Sequence, residues 1–231
     1  MKIIMTAICA WFLIFSAMTQ ATPGKNKWVA LIFDEGPSPD KTEPLLKRLD
    51  SLQVTATFFP TGQDMERFPT QTQAIIQAGH QLGNHGYSHM NLAEMPLSNA
   101  REEIKKTCRL LQSNGYTNKP MFLPPHGKVS EELGALLDNH QFTIARWDID
   151  PSEHLQTGGP QAAADYVSKK ARDGSVVLLH PMHGQHHQVM EALPLITAQL
   201  RQKGFQFATL EQLTLIKAGD HLESVKQDSI N

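Results

Sequence analysis

The sequence predicts a single-domain α/β protein built on a parallel sheet, and two observations support this. Seven short runs rich in β-branched and aromatic residues alternate with longer segments of helical periodicity. Alternation of this kind is typical of βα units, whose strands run parallel. No Gly-x-Gly-x-x-Gly sequence follows the first run, so a dinucleotide-binding sheet lacks support. An open doubly wound sheet and a closed or nearly closed barrel both fit the pattern.

The predicted elements follow one another in a regular order. Strands are expected at residues 28–33, 55–59, 80–85, 121–123, 142–149, 175–180 and 205–210. Helices are expected at residues 40–52, 97–112, 130–140, 159–172 and 189–204, with a shorter one at 211–219. Several helices have start signals such as Ser130 and stop signals such as Gly115.

The first 21 residues have the pattern of a secretory signal peptide. Lys2 precedes an almost wholly apolar run at 3–18, and Thr19 and Ala21 occupy the −3 and −1 positions of a cleavage site. We therefore expect a signal peptide at 1–21, one domain at 22–219, a flexible tail at 220–231, and export to the periplasm or the exterior. An uncleaved membrane anchor is the alternative, which the shortness of the run disfavours.

Charge and cysteine content exclude several classes of protein. The formal net charge is −2 and no block of five basic residues occurs, so neither nucleic acid nor, once the signal peptide is removed, a membrane is an expected partner. Cys9 lies inside the apolar leader, which leaves Cys108 alone and rules out an intrachain disulfide in the mature chain. We expect a monomer.

Polar chemistry gathers where the predicted strands end. The residues concerned are Asp34 and Glu35 after the first strand, His85 and His89 after the third, residues 124–127 after the fourth, Asp148 and Asp150 at the end of the fifth, and His180 at the end of the sixth. The opposite strand ends carry little chemistry. Because barrels and open α/β sheets place their active sites at the carboxyl ends of the strands, this clustering predicts an active site there.

The residue types at this edge suit a metal-dependent hydrolase. His85 and His89 are four apart and would face the same way on a helical turn, where, with an acid from the first strand, they would form a His₂-carboxylate site that leaves positions open for water and substrate. Incidental histidines on a solvated loop are the alternative. His180 suits general acid catalysis because its pKa lies near neutrality, although a buried core histidine is the alternative.

Five segments, in this order, resemble the motifs of the polysaccharide deacetylase family, also called the NodB-homology domain or carbohydrate esterase family 4. They are IFDEGPS (32–38), NHGYSH (84–89), LPPHG (123–127), WDIDPSE (147–153) and VVLLH (176–180), which are similar to TFDDGPS, N-H-[ST]-x-x-H, R-P-P-[YF]-G, an Asp-containing stretch near a Trp, and a leucine-rich strand ending in His. The resemblance covers about residues 28–215. It implies a distorted (β/α)₇ barrel of the NodB type.

The resemblance also implies an activity, which is the metal-dependent removal of N- or O-linked acetyl groups from a glycan of the chitin, peptidoglycan or xylan type. By position, Asp34 is the general base and His180 the general acid. Glu35, His85 and His89 are the ligands of a divalent metal, for which we expect Zn²⁺.

Further residues are assigned to substrate and to tuning. The third motif is expected to supply substrate and oxyanion contacts from Pro125, His126 and Gly127, with the backbone N–H of His126 on the oxyanion. Tyr87 and Trp147 are among the few aromatic residues and are expected to stack on a sugar face; plain core packing is the alternative for Trp147. Asp150 is expected to tune His180.

Two departures from the family pattern keep other functions open. Glu35 replaces the usual Asp and moves the carboxylate by about 1.5 Å. Leu123 replaces the arginine of the third motif, and we hypothesise that Arg146 supplies the missing guanidinium. The alternatives are a catalytically weakened relative that binds glycan, and a metal hydrolase that acts on another amide or ester.

Overall fold

The protein is described by a computed structural model over residues 26–118, 121–182 and 184–228. The predicted signal peptide at 1–21 lies outside the described residues. None of the helices in these ranges is long and apolar enough to span a membrane.

All strand pairings in the sheet are parallel, as predicted. The strands are Lys27–Asp34 (β1), Thr57–Phe59 (β2), Gln81–Leu82 (β3), Ser175–Leu179 (β4) and Phe205–Ala208 (β5). Their order is β3-β2-β1-β4, and β5 also pairs with β1. β1 uses its carboxyl half to pair with β2 and its amino half to pair with β5. β1 is therefore the central strand, and Asp34 is its last residue.

Isolated bridges close this sheet into a distorted barrel. Asn84, just after β3, pairs with Phe122, which in turn pairs with Ile144. Ile149 then pairs with Val177 in β4, so the ring returns to β1. The barrel is irregular because one side is held by single bridges.

The main difference from the predicted elements concerns the fourth and fifth predicted strands. Each is reduced to bridges, at Phe122 and at Ile144 and Ile149. Pro124 and Pro125 lack N–H donors, which ends pairing after the first of these segments. In the second, the Asp148 side chain takes over part of the ladder by accepting the Val176 N–H at 2.6 Å.

The helices surround the barrel and lie close to their predicted positions, with three differences. They are Thr42–Ser51 (α1), Gly62–Arg67 (α2), Pro69–Gln77 (α3), Leu97–Ser113 (α4), Glu131–Asn139 (α5), Ser152–Lys170 (α6), His186–Gln202 (α7) and Leu210–Asp228 (α8), with 3₁₀ turns at Leu92–Glu94 and Pro125–Gly127. α2 and α3 were not predicted, because Pro69 divides their segment into two short helices. α6 begins before residue 159 and is interrupted at Gly159, whose φ is 73°. α8 continues beyond residue 219, where the flexible tail stays a prediction.

Alternation along β1 decides what faces the active site. Val29, Leu31 and Phe33 pack against the helices, whereas Ala30 and Ile32 pack in the barrel interior beside Phe59 and Leu123. Successive side chains of a strand point to opposite faces, so Asp34 lies on the same face as Ala30 and Ile32. The carboxylate therefore enters the barrel at its carboxyl mouth.

Candidate active site

A cavity of about 240 Å³ opens at the carboxyl ends of the strands. Its lining consists of Asp34, Glu35, His85, His89, Leu123, Pro124, His126, Gly127, Trp147, Asp150, Leu178 and His180. Most of the residues assigned from the sequence are thus brought together in one place. The clustering of polar residues at the strand ends corresponds to a single site.

The two consecutive acids at the end of β1 face different partners. Asp34 is 6% exposed, and its Oδ1 accepts a hydrogen bond from His180 Nδ1 at 2.6 Å. The other oxygen, Oδ2, lies 4.0 Å from His85 Nε2. Glu35 has a φ of 63°, in the left-handed region that non-glycine residues seldom adopt, and its Oε1 lies 3.4 Å from His89 Nε2. This turn separates the two carboxylates, so they can take separate roles.

His85 is fixed in one tautomer by a backbone carbonyl. It is 2% exposed, and its Nδ1–H donates to the Leu123 carbonyl oxygen at 2.7 Å. Burial lowers the pKa of His85 to about 4, so the ring is neutral near pH 7. Nε2 then carries a lone pair, and this buried atom has no hydrogen-bond partner among the described residues. A nitrogen in this state is ready to ligate a metal.

His89 completes a row of three imidazoles. Its ring centroid lies 4.9 Å from that of His85 and 4.9 Å from that of His126. Burial, followed by the neighbouring His126, holds the pKa of His89 below its usual range. The φ of His89 is 60° and that of His126 is 58°. Strained backbone conformations of this kind tend to concentrate at functional sites.

The donor atoms suit a divalent ion, although they are not already assembled around one. Two ligands of a tetrahedral zinc ion lie about 3.3 Å apart, and the 3.4 Å between His89 Nε2 and Glu35 Oε1 agrees with this spacing. The partnerless Nε2 of His85 is a second fitting donor. Within the described residues, no group of three His, Cys, Asp or Glu side chains is preassembled as a metal site. Binding of a metal ion therefore requires these side chains to move closer together.

His180 lies between two carboxylates. Its Nδ1 contacts Asp34, and its Nε2 lies 3.7 Å from Asp150 Oδ2. Burial alone would lower the pKa of His180, but Asp150 and Asp34 outweigh it and raise the pKa to about 10. Burial would likewise raise the pKa of Asp150, yet hydrogen bonds from His180 and Ser152 lower it to about 2. His180 is therefore protonated near neutrality, and Asp150 has the geometry of the predicted tuning residue.

Trp147 and Gly127 form one wall of the cavity. A Cβ on Gly127 would lie 2.9 Å from Cη2 of Trp147, and the φ of this glycine is 69°. Only glycine therefore allows the loop to lie against the indole. Trp147 lines the cavity and also packs on the inner core, and its contact with substrate stays a prediction.

Three assigned residues lie away from the cavity lining, and Arg146 is the clearest correction. Arg146 is exposed and forms no ion pair with any residue that the structure describes, because Ala145 and Trp147 take the barrel-facing positions on either side of it. Pro125 is buried at the start of the 3₁₀ turn. The Tyr87 hydroxyl hydrogen-bonds to Glu66, and the Lys106 ammonium lies 3.5 Å from the ring centroid of Tyr87.

Two contacts in the site could not be predicted from the residue types in the sequence. The Leu123 carbonyl orients His85, and any residue at this position offers the same oxygen. The direct contact between Asp34 and His180 joins residues 146 positions apart. Asp34 is thus oriented by an imidazolium.

Comparison with known proteins agrees with this geometry. A model of the polysaccharide deacetylase family matches residues 21–145. A peptidoglycan-N-acetylglucosamine deacetylase of Bacillus cereus is 36% identical over 194 residues, which cover 83% of this chain and 70% of that protein.

Solved structures agree as well. The structure of peptidoglycan deacetylase PdaC from Bacillus subtilis aligns with a TM-score of 0.78 at 27% identity, over 88% of this chain and 98% of that one. This chain spans 40% of the curated PdaC sequence. The Bc1960 peptidoglycan N-acetylglucosamine deacetylase aligns with a TM-score of 0.77 at 33% identity, over 83% and 89% of the two chains. The structural matches confirm the predicted barrel fold.

Proposed function

Because the chain belongs to the polysaccharide deacetylase family and is a hydrolase of that class, we propose that it removes N-linked acetyl groups from a glycan. One observation carries the proposal. The buried, unprotonated Nε2 of His85 lies beside Asp34, which is itself hydrogen-bonded to a protonated His180. The site thus holds a free metal donor, a base and an acid within one cavity.

Glu35, His85 and His89 would hold the metal. Imidazole and carboxylate donors suit zinc, which is our choice among divalent ions. When bound, the ion supplies polarisation of the acetyl carbonyl and lowers the pKa of a water molecule.

Asp34 is the general base in this proposal. It accepts the proton of the attacking water at Oδ2, because Oδ1 is already hydrogen-bonded to His180. The burial of Asp34 keeps competing solvent away from this carboxylate.

His180 is the general acid. Its raised pKa keeps it protonated near neutrality, and it donates a proton to the leaving nitrogen, so that the sugar leaves as an amine and acetate is the other product. After the products leave, Asp34 releases its proton to solvent and His180 takes one up from solvent, so both groups regain their starting protonation states, with Nδ1–H of His180 still hydrogen-bonded to Oδ1 of Asp34.

The remaining cavity residues are proposed to bind the acetyl group. The backbone N–H of His126 stabilises the oxyanion, as the resemblance implies. Leu178 and Trp147 provide apolar surface for the methyl group. A cavity of about 240 Å³ suits an acetyl group and the sugar carbon that bears it.

We propose an acetylated amino-sugar polymer of the peptidoglycan type as substrate. The names of the Bacillus cereus relative and of Bc1960 support N-acetylglucosamine as the acetylated unit. Chitin oligomers share this unit, whereas xylan carries O-linked acetyl groups. The leader at 1–21 supports export, and we propose that the exported protein acts as a monomer.

Acetate release tests the proposal. Peptidoglycan, chitin oligomers, acetylated xylan and an aryl acetate would be compared with and without a chelator. We expect release from the amino-sugar substrates, its loss with chelator, and a fall of about 10²- to 10⁴-fold for Asp34→Asn. Asp138→Asn, an exposed acid on α5, is the matched control and should match the wild type.

The same assay decides between this function and its alternatives. The buried, apolar Leu123 at the position of the family's arginine favours a weakened glycan-binding relative as the second candidate. Glycan binding without acetate release would establish that candidate. Hydrolysis of the aryl acetate alone would indicate a hydrolase for other esters.

A further inference from the structure

One acidic side chain outside the cavity holds the loop that carries both histidines. Glu103 lies on α4 and is half-buried. Its Oε2 accepts three hydrogen bonds, from the Tyr87 N–H at 3.0 Å, the Ser88 N–H at 2.7 Å and the Ser88 hydroxyl at 2.9 Å. Residues 87 and 88 lie between His85 and His89. A single carboxylate oxygen therefore fixes the link between the two predicted metal ligands.

The loop needs such an anion because of its backbone conformation. Two successive N–H groups point the same way and form a concave donor site that favours negative charge. The next residue, His89, has a φ of 60°, which is uncommon for residues other than glycine. Hydrogen bonds to a carboxylate are stronger than those between neutral groups. Glu103 thus stabilises a conformation that the loop would otherwise leave.

The other hydrogen bonds of the loop hold backbone groups different from those that Glu103 binds. The Asn84 side chain accepts the Gly86 N–H at 2.9 Å and donates to the Ile104 carbonyl at 2.8 Å. From α2, the Gly62 and Gln63 N–H groups bind the carbonyls of Gly86 and Tyr87, each at 2.9 Å. These bonds hold the start of the loop and its carbonyls. The N–H groups next to His89 are held by Glu103.

We propose that Glu103 is a positioning residue that sets the affinity of the site for a divalent ion by fixing His89 relative to His85. This inference rests on the metal site of the proposed function. Glu103 acts through the backbone of residues 87 and 88 and does not itself touch substrate or metal.

Zinc affinity and amide exchange test this role. For Glu103→Ala we expect a zinc dissociation constant about 10- to 100-fold above the wild-type value, the range typical of groups that orient metal ligands. Amide hydrogen exchange of Tyr87 and Ser88 in the metal-free protein should become faster. Activity should recover in part at high zinc concentration, with KM for the glycan unchanged.

Two further variants separate positioning from general loss of stability. Glu103→Gln keeps an acceptor oxygen and should restore part of the affinity. Glu102→Ala removes the neighbouring exposed acid, which pairs with Lys105 at 3.8 Å, and should bind zinc as the wild type does.

The outcomes are distinct from those of the acetate assay. Wild-type zinc affinity in Glu103→Ala overturns the inference, whatever acetate release shows, and so does an equal loss of affinity in Glu102→Ala. A wild-type protein that binds no zinc overturns it as well, by removing the metal site. Weakened zinc binding and faster exchange support it even if no tested glycan is deacetylated.

Discussion

The two sides of the cavity hold histidines in opposite protonation states. On one side, burial keeps His85 and His89 neutral, even though Asp34 Oδ2 and Glu35 Oε1 lie 4.0 and 3.4 Å away. On the other side, His180 is protonated, because carboxylates face both of its ring nitrogens. The balance between burial and carboxylate contact, and not residue type, thus divides one cavity into the proposed metal side and the proposed proton-transfer side.

The largest predicted effect tests whether the two sides are separable. His85→Gln should abolish measurable zinc binding and with it acetate release, because it removes the buried free nitrogen. His180→Gln should retain zinc binding but lose about 10²- to 10⁴-fold in kcat, because only the proton donor is gone. Calorimetric zinc titration and acetate release measure both quantities.

An exposed histidine supplies the control for this pair. His140→Gln on the far end of α5 should leave zinc binding and kcat at wild-type values. If His180→Gln lost zinc as completely as His85→Gln, the division of the cavity into two sides would be wrong.

A smaller effect is expected from removing one of the two acids that face His180. In Asp150→Asn the pKa of His180 should fall from about 10, because Asp34 alone then opposes the effect of burial. The proposed mechanism needs the protonated ring, so the alkaline limit of activity should move to lower pH. Each unit of that fall reduces the protonated fraction above the pKa about tenfold. The pH dependence of kcat measures this.

Glu153→Gln is the control, since Glu153 is an exposed acid three residues further on. It should leave the alkaline limit in place. An Asp150→Asn profile that overlays the wild-type profile would show that Asp150 does not tune His180.

The sequence was sufficient for the fold class and for most of the cavity because both depend on side-chain patterns. The apolar run before Asp34 predicts a buried strand, and a buried strand must deliver its last residue to the barrel mouth. The spacing of His85 and His89 similarly predicted two neighbouring imidazoles, although they lie on a non-helical loop and not on the predicted helical turn.

The features that the sequence could not predict depend on backbone geometry and on the direction in which a side chain points. The Leu123 carbonyl binds His85 without any side-chain signal, and the bridge at Phe122 reflects proline-limited pairing. Arg146 was expected at the site because it lies on the next predicted strand, beside Trp147, but alternation with Ala145 turns it to solvent. Sequence proximity does not reveal which face a residue occupies.

The last predicted effects concern the pH dependence of stability in the metal-free protein. His80, a buried residue remote from the cavity, accepts the Ala56 N–H at its Nδ1, and burial lowers its pKa to about 4. A lowered pKa means that its contribution is complete above pH 6.5 and is lost as pH falls towards 4. The loss amounts to roughly 3–4 kcal/mol at about 1.4 kcal/mol per pKa unit. His180 has the opposite sign, so its contribution is complete below pH 6.5 and is lost as pH rises towards 10.

Urea unfolding of three proteins across pH 4–10 separates these contributions. His80→Gln should flatten the acid limb of the stability curve and leave the alkaline limb as in the wild type, because the amide does not titrate. His180→Gln should flatten the alkaline limb alone. A variant that flattened the wrong limb would mean that its histidine titrates in the direction opposite to the one stated. The comparison of neutral and protonated histidines would then need to be redrawn for that residue, since burial and carboxylate contact act with opposite signs.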